Sequence, residues 1–244
     1  MSWCSRDITS RRGMASNAVR ATEAYVEREL ADVDGSHDYF HIARVRALAM
    51  RLAREEGDCD ANVVELAALL HDVRDWKYSG EATAGCDAAR EHLESLAVDA
   101  RTIERVCDIV RYVGFKSEIS DDADEKAERA RRTNRKEFMV VQDADRLDAI
   151  GAIGIGRTFC FGGARNSPMH DPSVPPLTDL TGERYAAMRN DATRPNTVIN
   201  HFHEKLFKLK SMMKTESGRR LAERRHQTMV DFVERFHKEW NGLE

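Results

Sequence analysis

Apolar residues recur at a helical interval along almost the whole chain. From Ala15 to about Asp32, Val19, Thr22, Val26 and Leu30 fall three and four positions apart, a stripe weakened by the half-polar Thr22. Asp34-Gly35-Ser36 interrupts it, with Ser36 positioned to cap the next helix. Ile42, Val45, Leu48, Ala49 and Leu52 form a second stripe between His41 and Glu55, with arginines opposite, and Gly57 ends it. Asp60 opens a third helix. There Val63, Val64, Leu66, Ala67, Leu69 and Leu70 leave almost no polar face, which predicts a central helix. Residues 82–96 and 100–112 read as two further helices, and 138–155 as one apolar-periodic segment. Residues 197–215 and 218–240 read as two closing helices. With no alternating strand pattern, no internal repeat and no Gly/Ser linker, the predicted fold class is all-α. The expected organisation is a tail over 1–20 followed by a single helical domain over 21–244.

Two stretches depart from the pattern. Near 117–137 the chain is acidic first and then basic, which predicts a solvated connection or an exposed helix and the most mobile segment of the chain. Gly162, Gly163, Pro168, Pro172, Pro175 and Pro176 mark a long loop near 162–180, and loops of that length inside a domain often carry function.

Composition narrows the function classes. Hydrophobic residues at 41% beside 33% charged residues supply a core for a soluble domain. A net charge of −4 argues against a nucleic-acid partner but not against a small phosphate-bearing molecule, which a few local cations or a metal ion can hold. Five cysteines, an odd number with no C-x-x-C spacing, predict reduced thiols rather than a disulfide framework or structural zinc. No apolar run is long enough to span a membrane. The first twenty residues carry Arg6, Arg11, Arg12 and Arg20 against one acid, Asp7, but lack an amphipathic apolar face, so a cytoplasmic location is expected. A homodimer is compatible with this sequence.

The candidate chemistry lies in polar residues set into apolar helices. His41 opens one helix, His71-Asp72 closes the most apolar one, and Asp145 sits in Asp143-Ala144-Asp145-Arg146-Leu147-Asp148. Burying these groups is costly without a partner, and a divalent metal is the obvious one. Neutral imidazole and carboxylate together suit manganese foremost, with iron, zinc, nickel, cobalt or magnesium as alternatives. Each residue also has a plainer explanation. A histidine in an apolar helix is commonly hydrogen-bonded in the core, and Asp143, Asp145 and Asp148 read equally as acids gathered at a helix start.

The order His, His-Asp, Asp on separate helices resembles the HD superfamily of metal-dependent phosphohydrolases. The strings Phe40-His41-Ile42-Ala43-Arg44-Val45, Ala67-Ala68-Leu69-Leu70-His71-Asp72 and Asp145-Arg146-Leu147-Asp148-Ala149-Ile150-Gly151-Ala152-Ile153-Gly154 are similar to a subgroup of small bacterial-type HD hydrolases. That subgroup includes nucleotide pyrophosphohydrolases, and the resemblance spans residues 20 to 242. It implies an HD/phosphodiesterase-like helical domain, with His41, His71, Asp72 and Asp145 as ligands of one divalent ion. His37 and Asp38 match the family pattern without a ligand role. The subgroup often carries a His-Ser-Phe-like element where this chain reads Tyr112-Val113-Gly114-Phe115-Lys116, and the missing histidine favours one metal over two.

Spacing then nominates the rest of the site. Asp75 lies three residues past Asp72. The two are the expected catalytic acids, Asp75 either orienting or deprotonating water or holding a ligand histidine. Asp148, three after Asp145, is a ribose-binding candidate or a partner of a ligand. Arg44, Lys77, His201 and Lys205 are the expected substrate contacts, with His201 and Lys205 on one helical face. No G-x-x-x-x-G-K-S/T loop is present, and Gly151, Gly154 and Gly156 read as close helix packing. The expected activity is hydrolysis of a nucleoside triphosphate to monophosphate and pyrophosphate. The alternatives are a 5'-nucleotidase or other phosphomonoesterase, and a nucleotide-binding module without turnover.

Overall fold

The computed structural model describes residues 4–31, 35, 38–73, 84–119, 122–178 and 197–243, with backbone alone at 4–16 and 116. Among them every regular element is helical. Ser36, His37, Asp75 and Lys77 lie outside the described residues, as does the chain from 179 to 196.

The first helix, α1 (Cys4–Glu29), starts earlier than the periodicity predicts and extends into the stretch read as a tail. Its weak position is explained by a partner: buried Thr22 pairs its hydroxyl with His92 Nε2 at 3.1 Å. Helix α2 (Tyr39–Glu56) begins where the Asp38 side chain accepts from the His41 amide, and ends at Gly57 with φ +65°. Helix α3 (Ala61–Leu70) is capped by Asp60, which accepts from the Asn62 and Val63 amides. Seven of its ten residues are buried, so it is the central helix. It packs against α1, α2, α5 (Ala100–Tyr112), which follows α4 (Ala84–Ser95), and α8 (Lys136–Asp148), and α8 in turn packs on α2.

The charged stretch holds a single-turn helix, α6 (Phe115–Glu118), and the largely exposed α7 (Ala123–Thr133). It is tied down more firmly than its charge suggests. Glu118 pairs with Lys214 Nζ at 2.8 Å and with Arg146, and Arg129 lies 3.5 Å from the same carboxylate. Burial opposes ionisation of Glu118, and Arg146 and Lys214 prevail, holding it below the usual carboxylate range.

The segment predicted as continuous from 138 to 155 is two helices. Helix α8 ends at Asp148, Ile150 is extended, and α9 (Gly151–Ala164) begins at φ +75° on Gly151. Glycine tolerates that backbone, and side chains rarely do. A Cβ on Gly154 would stand 2.3 Å from the Ala149 carbonyl oxygen, so the turn also requires glycine there. Gly156 has open space around it and plays no packing role, contrary to the sequence reading.

The expected helix over 197–215 is also divided, into α10 (Val198–Glu204) and a 3₁₀ stretch, Leu206–Met212, because Lys205 leaves helical geometry. The part of the Pro-rich loop that is described rests on α10. Pro168 and Met169 carbonyls accept from Val198 and Ile199, and Val174 accepts from the Asn200 side chain. The last helix, α11 (Glu216–Trp240), packs on α9 and α8.

Candidate metal centre

Three helices meet around one small polar cluster. His41 comes from the first turn of α2, His71 and Asp72 from the end of α3, and Asp145 from the last turn of α8. The Nε2 atoms of His41 and His71 face each other at 3.3 Å. Asp72 Oδ2 lies 3.3 Å from His41 Nε2 and 3.8 Å from His71 Nε2, and Asp145 Oδ1 lies 3.6 and 3.7 Å from the same atoms. His41, His71 and Asp145 thus satisfy the spacing of a shared ion. Donor-to-donor separations of this size match ligands about 2.0–2.3 Å from a common centre.

The hydrogen bonds behind the histidines decide what the cluster can accept. His71 Nδ1 is 2.9 Å from the Ala68 carbonyl, which can only accept, so that nitrogen donates. His41 Nδ1 is 2.8 Å from Asp148 Oδ2 and likewise donates to a carboxylate. In the neutral rings both Nε2 lone pairs therefore point at one another, with two carboxylates alongside. Such a group of acceptors needs a cation between them. Without one, a proton fills the role. Burial would lower the His71 pKa, but Asp72 and Asp145 raise it to about 9. Burial would raise that of Asp145, and the His71 hydrogen bond holds it below the usual range.

The imidazole end is sealed: both histidine side chains are 1% exposed, whereas Asp145 is 28% exposed. Access to the cluster is therefore on the carboxylate side.

Asp148 turns inward. Its carboxylate, 1% exposed, accepts from His41 Nδ1, from Arg44 Nε at 2.7 Å and Nη2 at 3.0 Å, and from Arg157 Nη1 at 3.2 Å. Burial works against its ionisation, and the His41 and Arg44 hydrogen bonds overcome it, lowering its pKa to about 2. Of the two roles offered by spacing, this geometry favours the partner of a ligand over a ribose contact. Arg157 was absent from the candidates, because nine residues separate it from Asp148 and no local periodicity links them.

The three acids of α8 do not form a helix-start cluster. The helix begins at Lys136, so Asp143, Asp145 and Asp148 occupy its second half, where the macrodipole disfavours negative charge. Each has its own partner instead. Asp143, fully buried, accepts from the Lys214 amide and from the Thr215 amide and hydroxyl at 2.7–3.0 Å. Arg146 points away from the cluster, to the Met212 carbonyl and Glu118. His201 is half-buried on α10. Lys205 lies past the end of that helix, with its ammonium 5.3 Å from the Phe115 ring centre, so the two do not share a helical face as predicted.

Residues 38–150, which contain all four members of the cluster, match the HD domain model. The chain is 32% identical over 220 residues to the uncharacterized protein YpgQ of Bacillus subtilis, covering 90% of this chain and 92% of that one. The chain belongs to the HD-domain superfamily. Solved structures agree over nearly the full length. A Lactobacillus plantarum protein superposes with a TM-score of 0.77 at 34% identity, covering 93% of this chain and 98% of that one. An HD-superfamily hydrolase from Bacillus thuringiensis gives 0.66 at 36% identity with the same coverage. YpgQ in complex with ADP gives 0.67 at 27% identity, covering 93% and 96%. No described helix of the present chain is long and apolar enough to cross a membrane.

Proposed function

We propose that the protein is a metal-dependent phosphohydrolase that cuts a nucleoside triphosphate to monophosphate and pyrophosphate. One divalent ion, manganese foremost, would be held by His41, His71, Asp72 and Asp145. The observation that carries this reading is the pair of Nε2 lone pairs facing each other at 3.3 Å among carboxylates, each ring fixed from behind. A divalent ion bound there supplies Lewis acidity, neutralising phosphoryl oxygens and acidifying water.

The remaining tasks fall to the chain itself. Asp148 fixes the tautomer and orientation of His41. Arg44 and Arg157, both paired with that carboxylate, are the proposed cations beside His41 that attract a polyphosphate. The partly exposed Asp145 leaves the carboxylate side open for the phosphoryl group. Asp75 is the proposed group that orients or deprotonates the attacking water. Lys77, His201 and Lys205 are the proposed further contacts to the departing pyrophosphate. An adenine nucleotide suits the reading because YpgQ, similar over nearly its whole length, has been solved with ADP.

The test is a nucleotide screen on manganese-loaded protein that reads orthophosphate and pyrophosphate separately. Pyrophosphate from triphosphates, abolished together with metal content in Asp145→Asn, is the expected result. Orthophosphate from monophosphates with triphosphates inert would replace this activity by phosphomonoester hydrolysis. Nucleotide binding without turnover would leave a binding module.

A further inference from the structure

The cysteines, read from the sequence as reduced thiols, include two that the fold brings together. Cys86 is the third residue of α4, and Cys107 lies on the buried face of α5. The two helices pack along one another after a tight connection through Asp99, which caps α5. The Cys107 thiol donates to the Cys86 carbonyl at 3.6 Å, which sets the two cysteines side by side across the α4–α5 packing. Cys107 is 3% exposed, whereas Cys86 is half-buried and reachable from solvent. Arg90 and Arg111, each four residues past one of the cysteines, add positive charge to the pair.

We propose that Cys86 and Cys107 form an oxidisable dithiol, with Cys86 as the residue that attacks hydrogen peroxide and Cys107 as the residue that resolves the product into an intramolecular disulfide between α4 and α5. The division of roles follows from position. Cys107 is buried, whereas Cys86 is half-buried and open to the peroxide. Hydrogen bonding from Cys107, with help from Arg90 and Arg111, lowers its pKa, while its proximity to the Cys86 sulfur and burial raise that of Cys107. The Cys86 thiolate attacks a peroxide oxygen, breaking the O–O bond, and one water leaves with the thiol's proton, giving a sulfenic acid. The Cys107 sulfur then attacks the Cys86 sulfur. The hydroxide expelled takes the Cys107 proton and leaves as a second water. Two thiols lose two electrons to one hydrogen peroxide, and the sulfurs close to about 2.05 Å. Helix α4 is the first described element after His71-Asp72, and the cross-link ties it to α5.

The experiment treats reduced, full-length protein with hydrogen peroxide, blocks remaining thiols with an alkylating reagent and maps them by mass spectrometry without reduction. The expected result is a linked Cys86–Cys107 peptide, two free thiols lost per chain, migration as a monomer on a non-reducing gel and full recovery with dithiothreitol. In Cys107→Ala, Cys86 should instead accumulate a dimedone-reactive sulfenic acid. If that buried replacement fails to fold, Cys86→Ser serves in its place, and peroxide should then leave Cys107 unmodified. Oxidation confined to the exposed Cys160 or to Cys59, with Cys86 and Cys107 both alkylated, would overturn the proposal. So would sulfinic acid at Cys86 beside a free Cys107.

Discussion

Replacing Asp148 by Asn separates the two jobs that its carboxylate performs. The side chain accepts four N–H groups from three residues, at 2.7 to 3.2 Å, while 1% exposed. Asn keeps the shape and one acceptor oxygen but removes the charge and places an NH₂ where an N–H now points in. A hydrogen bond to a charged group is worth about 1.5–3 kcal/mol. Arg44 is about one-third exposed and its share must be discounted for solvent screening, so the net loss of folding stability is about 2–4 kcal/mol. The second effect is on the metal. A misoriented His41 should weaken binding roughly 10- to 100-fold, or about 1.4–2.7 kcal/mol. Urea unfolding of the metal-free protein reads the first quantity, and competition for manganese against a chromophoric chelator reads the second. A variant with reduced stability but unchanged manganese affinity would refute the claim that Asp148 orients a ligand. Unchanged values of both would refute the geometry itself.

Other outcomes follow from the same structure. Gly154→Ala should destabilise by about 1–3 kcal/mol, since its Cβ meets the Ala149 carbonyl, whereas Gly156→Ala in open space should be neutral or stabilising by up to about 1 kcal/mol; denaturant midpoints distinguish them. Glu118 has a lowered folded pKa, so its contribution is fully present above its unfolded value and lost as pH falls through the folded one. Glu118→Gln should therefore cost on the order of 2 kcal/mol at neutral pH, and the gap to the unmodified protein should close in acid, as followed by unfolding across pH. Lys205→Ala should reduce triphosphate turnover in the pyrophosphate-release assay while elemental analysis finds metal content unchanged; a parallel loss of metal would place Lys205 in a structural role.

Much of this was legible in the residues because it is local. Helices α2 and α3 carry their own stripes, Asp60 caps the residue it should cap, and His41, His71, Asp72 and Asp145 stand out as polar positions in apolar surroundings. What escaped depends on partners far away in the chain. The break after Asp148 carries no loss of apolar periodicity, since Ile150, Ile153 and Ile155 continue it across the glycine that turns the chain. Asp143 reads as one acid among three, and only the fold supplies Lys214 and Thr215, over seventy residues later, as its donors. The charged stretch after Ser117 looked solvated because nothing nearby reveals that Glu118 meets Arg146 and Lys214. Asp75 and Lys77, nominated by spacing, fall outside the described residues.

The turn at Gly151 has a geometric consequence for charge. In an unbroken helix, Asp148 and Arg157 would stand nine residues apart along the axis, about 13–14 Å at 1.5 Å per residue, beyond direct contact. Because the chain changes direction between them, the guanidinium returns to within 3.2 Å of the carboxylate it left behind. The bend thus works as a hairpin in helical form, delivering a cation from the outgoing helix to the rear of the histidine on a different one. A substitution that straightened it would separate Arg157 from Asp148 without touching any of the four residues of the cluster.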